Sequence, residues 1–333
     1  MSRRNSWIAA ALCCLLLFAC VSEDVEPVRT PAPTAAQQTE AAPSPTVAPS
    51  PTREPVEGDV AFDRFPTYDT GADADWSYQS DELKIAIRRY EDEEEKQVYY
   101  VADVWLRNIR SFRAGFANGA YNRGTEDAEA FSVRENAVLG VNGSYNTGLV
   151  VHDGTLYRPL DEKHEAVMAL YRDGSMEALS REAFDLEAAQ SKGLVHAWQF
   201  GPLLVHDGKP NEAESFGSFG IRHSRIMLGY YEPGHYVAVA VDGRRRDAIG
   251  MDANDMIELM VSLGCKEAIN LDGGLSAIMT FMGKTVNDPP KANADDAASG
   301  GRNLADMLLF AAYDDGGSAP PLDTLEARTP SED

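Results

Sequence analysis

Residues 237–274 read VAVAVDGRRRDAIGMDANDMIELMVSLGCKEAINLDGG. Two short apolar runs, VAVAV (237–241) and AINL (268–271), enclose a segment in which Met256, Ile257, Met260 and Leu263 recur at helical spacing. Acids stand at the start of that segment and Gly264 at its end, as helix termini favour. The pattern predicts strand, helix, strand. Two strands joined by a helix lie parallel in one sheet, so the expected fold is α+β. It would have a mixed β-sheet with flanking helices and one parallel strand–helix–strand crossover near the site.

Each strand of the expected crossover ends in Asp-Gly, at Asp242-Gly243 and at Asp272-Gly273-Gly274. Parallel strands end on one edge, and open α/β sheets bind ligands in the crevice there. The competing reading of Asp272 is a tight hairpin, with LSAIMTFM (275–282) as the returning strand. Asp-Gly occurs at five places in the chain, residues 153, 173, 207, 242 and 272, so position rather than composition singles out the last two.

Working outward, LKIAIRRY (83–90) and QVYYVADVWL (97–106) read as paired strands, and TEDAEAFSVREN (125–136) as a capped helix. AVLGVNGSYN (137–146) is a strand running into a glycine turn. Hairpins punctuated by Asp-Gly follow, with a helix over about 182–192 among them, and NLADMLLFAAY (303–313) supplies a late strand.

Both ends of the chain have a different character. Residues 1–20 combine Arg3 and Arg4, an apolar core from Trp7 to Phe18, and the close LFAC. This reads as a bacterial lipoprotein signal with Cys20 as the lipidated residue, its apolar core being too short for a permanent span. Residues 21–58 are rich in Pro, Thr and Ala without apolar periodicity and read as a disordered tether. Such a chain extends by roughly 3.1 Å per residue. A folded domain over 59–313 and an acidic disordered tail over 314–333 complete the expected organisation.

Cys13 and Cys14 fall in the signal and Cys20 at the anchor, so Cys265 alone remains for the domain, which must rely on its core rather than a disulfide. The formal charge of −23 argues against nucleic-acid binding and against anionic membranes as partners through bulk charge. Much of it lies in solvated runs such as EDEEE (91–95) and the tail. A negative substrate would therefore need a local basic pocket. The expected location is extracytoplasmic, on the bacterial cell envelope, with the membrane reached through Cys20.

Several short segments recur in a known order: VNGSYN (141–146), GPLLVHDGK (201–209), SRIMLG (224–229), VAVDGRR (239–245), NLDGGLSAIM (270–279) and GGRNLADMLL (300–309). In this order they resemble the phosphodiester glycosidase family, typified by the lysosomal enzyme that removes N-acetylglucosamine to uncover mannose 6-phosphate. The resemblance covers about residues 80–312. It places the family's Asn-Gly turn on Asn142-Gly143, followed by Ser144-Tyr145 where a glycine and an aromatic are usual. Its Arg-Thr-x-x-Gly segment falls on Arg225 and Gly229, with Ile226 in place of the Thr. Asp-Gly-Arg falls on Asp242, Gly243 and Arg244, Asp-Gly-Gly on Asp272, Gly273 and Gly274, and the closing Arg on Arg302.

What the resemblance implies is a hydrolase that cleaves a sugar-1-phosphodiester, of the α-N-acetylglucosamine type, in a cell-surface or host glycan. Cleaving that bond develops positive charge on the sugar and negative charge on the departing phosphate. A carboxylate must act at the anomeric carbon or on water, and arginines must hold the phosphate. Asp272 is the expected carboxylate, Asp242 a second acid that orients an Arg or caps its turn, and His223 a candidate acid–base group. Arg225, Arg244 and Arg302 are the expected phosphate ligands; Asn142, Gly273 and Gly274 would line the substrate site. Asp272, Asn270 and Asp242 could instead ligate Ca2+ or Mg2+, which take oxygen donors. The histidines at 152, 164, 196, 206, 223 and 235 lack metal-ligand spacing. Two alternatives stand beside this reading. One is a non-catalytic surface lipoprotein that binds or organises exopolysaccharide. The other is an ordinary glycosidase using Asp242 and Asp272 as its carboxylate pair.

Overall fold

Among the described residues the strands pair, through hairpins and long-range contacts, into three antiparallel sheets. The structure is a computed structural model and describes residues 55–61, 63–291, 301–313 and 319–330. The expected signal with Cys20, and the tether up to residue 54, lie outside the described residues.

The largest sheet has nine strands. Its spatial order is Lys209–Pro210, Leu203–His206, Glu267–Asn270, Arg225–Glu232, His235–Val241, Gln97–Leu106, Leu83–Asp92, Trp76–Gln79 and Ala327–Arg328. A five-stranded sheet contains Thr155–Arg158, Val150–His152, Leu194–Phe200, Ala166–Tyr171 and Met176–Ser180. A second five-stranded sheet contains Lys284–Thr285, Met279–Phe281, Leu139–Asn142, Asp306–Phe310 and Phe112–Phe116. The principal core unites residues of all three sheets, among them Ile226, Trp198 and Phe310.

Among the described residues the α-helices are short: α1 (Ala128–Arg134), α2 (Leu186–Lys192) and α3 (Ala253–Ser262). Helix α3 starts where the sequence puts its acids, because Asp252 accepts from the Asn254 and Asp255 N–H groups while Asp255 accepts from the Asp252 N–H. Its Met256, Ile257 and Met260 share one buried cluster with Leu204, Val205, Val237, Val239 and Val241. Full burial of such side chains contributes roughly 1.5–3 kcal/mol each.

The α+β expectation with a mixed sheet is corrected by the strand pairing. Every hydrogen-bonded strand pair among the described residues is antiparallel, and the helices are few. The two strands joined by α3 are not neighbours. Arg225–Glu232 lies between them and pairs antiparallel with both. Pro233 and Gly234 turn this strand directly back onto His235–Val241, so the hairpin forms first in sequence and leaves only its outer edge for Glu267–Asn270. The hairpin reading of Asp272 fails as well, since Met279–Phe281 pairs with Leu139–Asn142 in another sheet. The chain end also differs from the reading of 314–333 as a disordered tail. Leu322 is buried in the core, and Ala327–Arg328 adds an edge strand to Trp76–Gln79.

Candidate active site

The inserted strand determines what the two Asp-Gly corners enclose. Val241 pairs with Arg225, and Asn270 with Met227, so both flanking strands end beside the start of Arg225–Glu232. The corner glycines are required by close approach. A Cβ on Gly243 would lie 2.2 Å from the Ser224 amide nitrogen, and one on Gly273 2.6 Å from the Ser224 carbonyl oxygen. The His223–Ser224 main chain thus passes between the corners. Ser224 is pinned there, accepting from the Gly274 N–H and donating its hydroxyl to the Gly274 carbonyl, both at 3.0 Å.

A cleft of about 410 Å³ opens at this point. Its lining includes Arg225, Arg244, Arg302, His223 and Asp272 together with the apolar side chains of Phe200, Phe219, Ile221 and Leu275. Five residues singled out in the sequence for their charge or acid–base chemistry therefore converge, together with Gly273 and Gly274. This supplies the basic pocket that a strongly acidic chain needs in order to hold an anion.

The three arginines are held differently. Arg302 donates through Nη2 to Asp272 Oδ2 and through Nε to Ser276 Oγ, each at 2.5 Å, and its guanidinium lies 3.9 Å from the Tyr145 ring centroid. Arg244 is exposed and donates Nε to His223 Nε2 at 2.6 Å, which leaves its two terminal nitrogens for a ligand. Arg225 is 6% exposed. Its Nε donates to the Met251 carbonyl, and its Nη2 donates to the Ile221 and Phe219 carbonyls. Burial, with Arg244 adding like-charge repulsion, lowers its pKa to about 10. Arg225 thus anchors the wall formed by residues 219–221 and keeps only Nη1 for the cleft.

His223 accepts from Arg244 at Nε2, so the proton of its neutral ring sits on Nδ1, 3.3 Å from the Ser224 carbonyl. Burial and the neighbouring Arg244 charge lower its pKa and favour that neutral form. In this arrangement His223 orients Arg244 and has no free proton to give.

Asp242 and Asn142 lie behind the cleft. Asp242 is 1% exposed, and its Oδ1 accepts from Asn287 Nδ2 and the Asp288 N–H. Burial raises its pKa to about 6. Asn142 donates to the Asp272 carbonyl at 2.7 Å and accepts from the Ile278 N–H, so it ties down the loop that carries Asp272. Asn270 is likewise turned away, donating to the Gly201 carbonyl. The three oxygen donors considered for Ca2+ or Mg2+ therefore point to three different places. Among the described residues no cluster of three or more His, Cys, Asp or Glu side chains is arranged to hold a metal ion.

Three contributors were not read from the sequence. Phe219 and Ile221 build the apolar wall from a segment with no regular periodicity. Asp306 is fully buried and accepts from the Ser144 N–H at 3.0 Å and the Asn146 N–H at 3.2 Å. Burial raises its pKa to about 7, and the Asp272 charge adds to the rise. The signal available was an acid inside the otherwise apolar run LADMLLF (304–310).

The comparisons with known proteins agree with this geometry. Residues 128–311 match the family described as phosphodiester glycosidase. The chain is 31% identical over 181 residues to the SPbeta prophage-derived uncharacterized protein YomE of Bacillus subtilis (strain 168). That match takes in 51% of the chain and spans 28% of the length of YomE. The fold is similar to that of the zebrafish N-acetylglucosamine-1-phosphodiester alpha-N-acetylglucosaminidase catalytic domain, described as auto-inhibited by its pro-peptide. There the TM-score is 0.57 at 19% identity, covering 71% of this chain and 85% of that one. A hypothetical protein from Synechocystis gives a TM-score of 0.53 at 13% identity, over 69% of this chain and 62% of that one. With more than half of its length matched, the chain belongs to the phosphodiester glycosidase family.

Proposed function

We propose that this protein hydrolyses the glycosidic bond of a sugar-1-phosphodiester, of the α-N-acetylglucosamine type, in a cell-surface or host glycan. The observation that carries the proposal is that, among the described residues, one carboxylate meets three guanidinium groups in a single cleft. An ordinary glycosidase needs two carboxyl groups across the bond, one to protonate a poor leaving group. Here Asp242 is buried on Asn287 and Asp288, so Asp272 is the cleft carboxylate. A phosphodiester leaves as a stabilised anion and requires charge neutralisation more than protonation.

The roles follow from the bonding. Arg302 occupies Asp272 Oδ2 and leaves Oδ1 for the anomeric carbon or for the attacking water. The terminal nitrogens of Arg244, oriented by His223, form the fork suited to the phosphate oxygens. Arg225 adds one nitrogen from the cleft wall. Phe200, Phe219 and Leu275 offer apolar surface to a pyranose face or an N-acetyl methyl group. Asp242 and Asn142 support the two corners from behind. The proposal includes the extracytoplasmic location and lipid anchorage at Cys20, motivated by the sequence of residues 1–58.

The direct test is hydrolysis of a panel of sugar-1-phosphodiesters by the wild type, Asp272→Asn and Arg244→Ala. The proposal expects turnover of at least one diester by the wild type and severe loss in both variants. Sugar binding without turnover of any diester would favour the non-catalytic reading.

A further inference from the structure

The turn after Asn142 is built in an expensive way. Tyr145 and Asn146 both adopt left-handed backbone, with φ of 59° and 54°, where glycine would be the ordinary choice. Consecutive non-glycine residues in this region persist only where surrounding structure enforces them. The enforcing group is Asp306, whose two carboxylate oxygens each take one main-chain N–H of the turn, Ser144 on Oδ2 and Asn146 on Oδ1. The fit is close, since a Cβ on Gly143 would lie 2.2 Å from Asp306 Oδ2. Asn146 Nδ2 also donates to the Ala305 carbonyl, fixing the turn to the same strand region.

What the turn presents is the Tyr145 ring, with the Arg302 guanidinium 3.9 Å from its centroid. Arg302 in turn holds Asp272 Oδ2 at 2.5 Å. A buried carboxylate, a strained turn, an aromatic ring and an arginine thus lead in sequence to the cleft carboxylate. A purely structural turn would be satisfied by glycine at either strained position and would have no need of a ring set against Arg302.

We propose that Asp306 is a positioning residue: by holding the Ser144–Asn146 turn it seats Tyr145 against Arg302, and Arg302 so placed fixes the orientation of Asp272. The inference rests on the reading of Asp272 and Arg302 as residues that act on the substrate. It predicts that Asp306 and Tyr145 work through one route, so their losses should not multiply. Misplacing a reacting group by an ångström costs up to about a hundredfold.

The test is a double-variant cycle using the methyl phosphodiester of α-N-acetylglucosamine 1-phosphate as substrate. Asp306→Asn and Tyr145→Ala should each lower kcat roughly ten- to hundredfold, with KM changed far less. Tyr145→Phe, which keeps the ring, should recover most of the loss seen with alanine. The double variant should be no slower than the slower single one, because residues sharing a route are non-additive. Multiplying losses, or equal activity of Tyr145→Ala and Tyr145→Phe, would overturn the proposal. The second comparison still decides if Asp306→Asn fails to fold. If the wild type hydrolyses no diester, the same cycle is read in the Kd for inorganic phosphate. Non-additive weakening there would retain the positioning role while the hydrolase reading falls, and no phosphate binding at all would overturn both.

Discussion

Arg302 meets Asp272 at 2.5 Å, although thirty residues separate them in the chain. This contact removes one carboxylate oxygen from competition and aims the other. Arg302→Lys would keep the charge but cannot reach Ser276 Oγ and Asp272 Oδ2 together or lie flat on Tyr145. We expect kcat for a sugar-1-phosphodiester to fall about tenfold or more in this variant, on the order of one positioned charge-assisted hydrogen bond. Wild-type kcat in Arg302→Lys would show that the contact is incidental.

Arg225 is expected to matter more for the cleft wall than for charge alone. Arg225→Lys forfeits the hydrogen bonds to the Met251, Ile221 and Phe219 carbonyls and leaves those acceptors unpaired. The loss should be on the order of 1–3 kcal/mol. It should show as a lower melting temperature together with faster proteolysis within residues 212–221. Proteolysis at the wild-type rate would contradict the anchoring role.

The corner glycines give a steric prediction. Gly243→Ala and Gly273→Ala each drive a Cβ into the Ser224 main chain, which cannot move aside as a flexible side chain would. Each should cost about 1–3 kcal/mol of stability in denaturant unfolding. Gly220, where an added Cβ meets nothing within 4 Å, is the control, and its alanine variant should stay within about 0.5 kcal/mol. Equal stability of all three variants would refute the close-approach account.

The buried histidines predict how stability responds to acid. His152 has both ring nitrogens without a partner, and burial holds its pKa well below the ordinary 6.5. His196, fully buried beside it, is lowered to about 4. A depressed folded-state pKa gives a contribution that is complete above about pH 6.5 and is lost as the pH falls toward 4. Asp242 and Asp306 act in the opposite sense. Burial raises them to about 6 and 7, so their contribution is present below the ordinary carboxylate range and is lost as the pH rises through those values. In thermal unfolding from pH 7 to 4, His152→Phe should weaken the loss on the acid side. Asp242→Asn should gain on the wild type as the pH rises from 4 to 6. Parallel pH profiles for wild type and variants would rule out these assignments.

Local structure was largely legible in the sequence because it is set by short-range patterns. The alternation of 97–106, the apolar VAVAV run and the capped helix at 253–262 each carry their own periodicity. Sheet order was not legible in the same way. Nothing in residues 237–271 says that the preceding strand will slip between the two ends of the crossover, because that is decided by hairpin closure at Pro233-Gly234. The site survived the error for a simple reason. Strands antiparallel to one common partner still end on the same side, so Asp272 and Arg244 reach one cleft. Asp242 was overread: an acid at a strand end can face the cleft or the loop behind it, and Asn287, which decides the matter, lies far along the chain. Asp306 was missed because its partners are main-chain N–H groups, which carry no side-chain signature.

Asp272 working against a cluster of guanidiniums is the physical basis of the functional reading. The most direct measurement is release of free sugar from the methyl phosphodiester of α-N-acetylglucosamine 1-phosphate, comparing wild type with Asp272→Asn at matched folding. The account predicts turnover by the wild type and a loss of roughly a hundred- to ten-thousandfold in the variant. Turnover by the Asp272→Asn protein at the wild-type rate would contradict it.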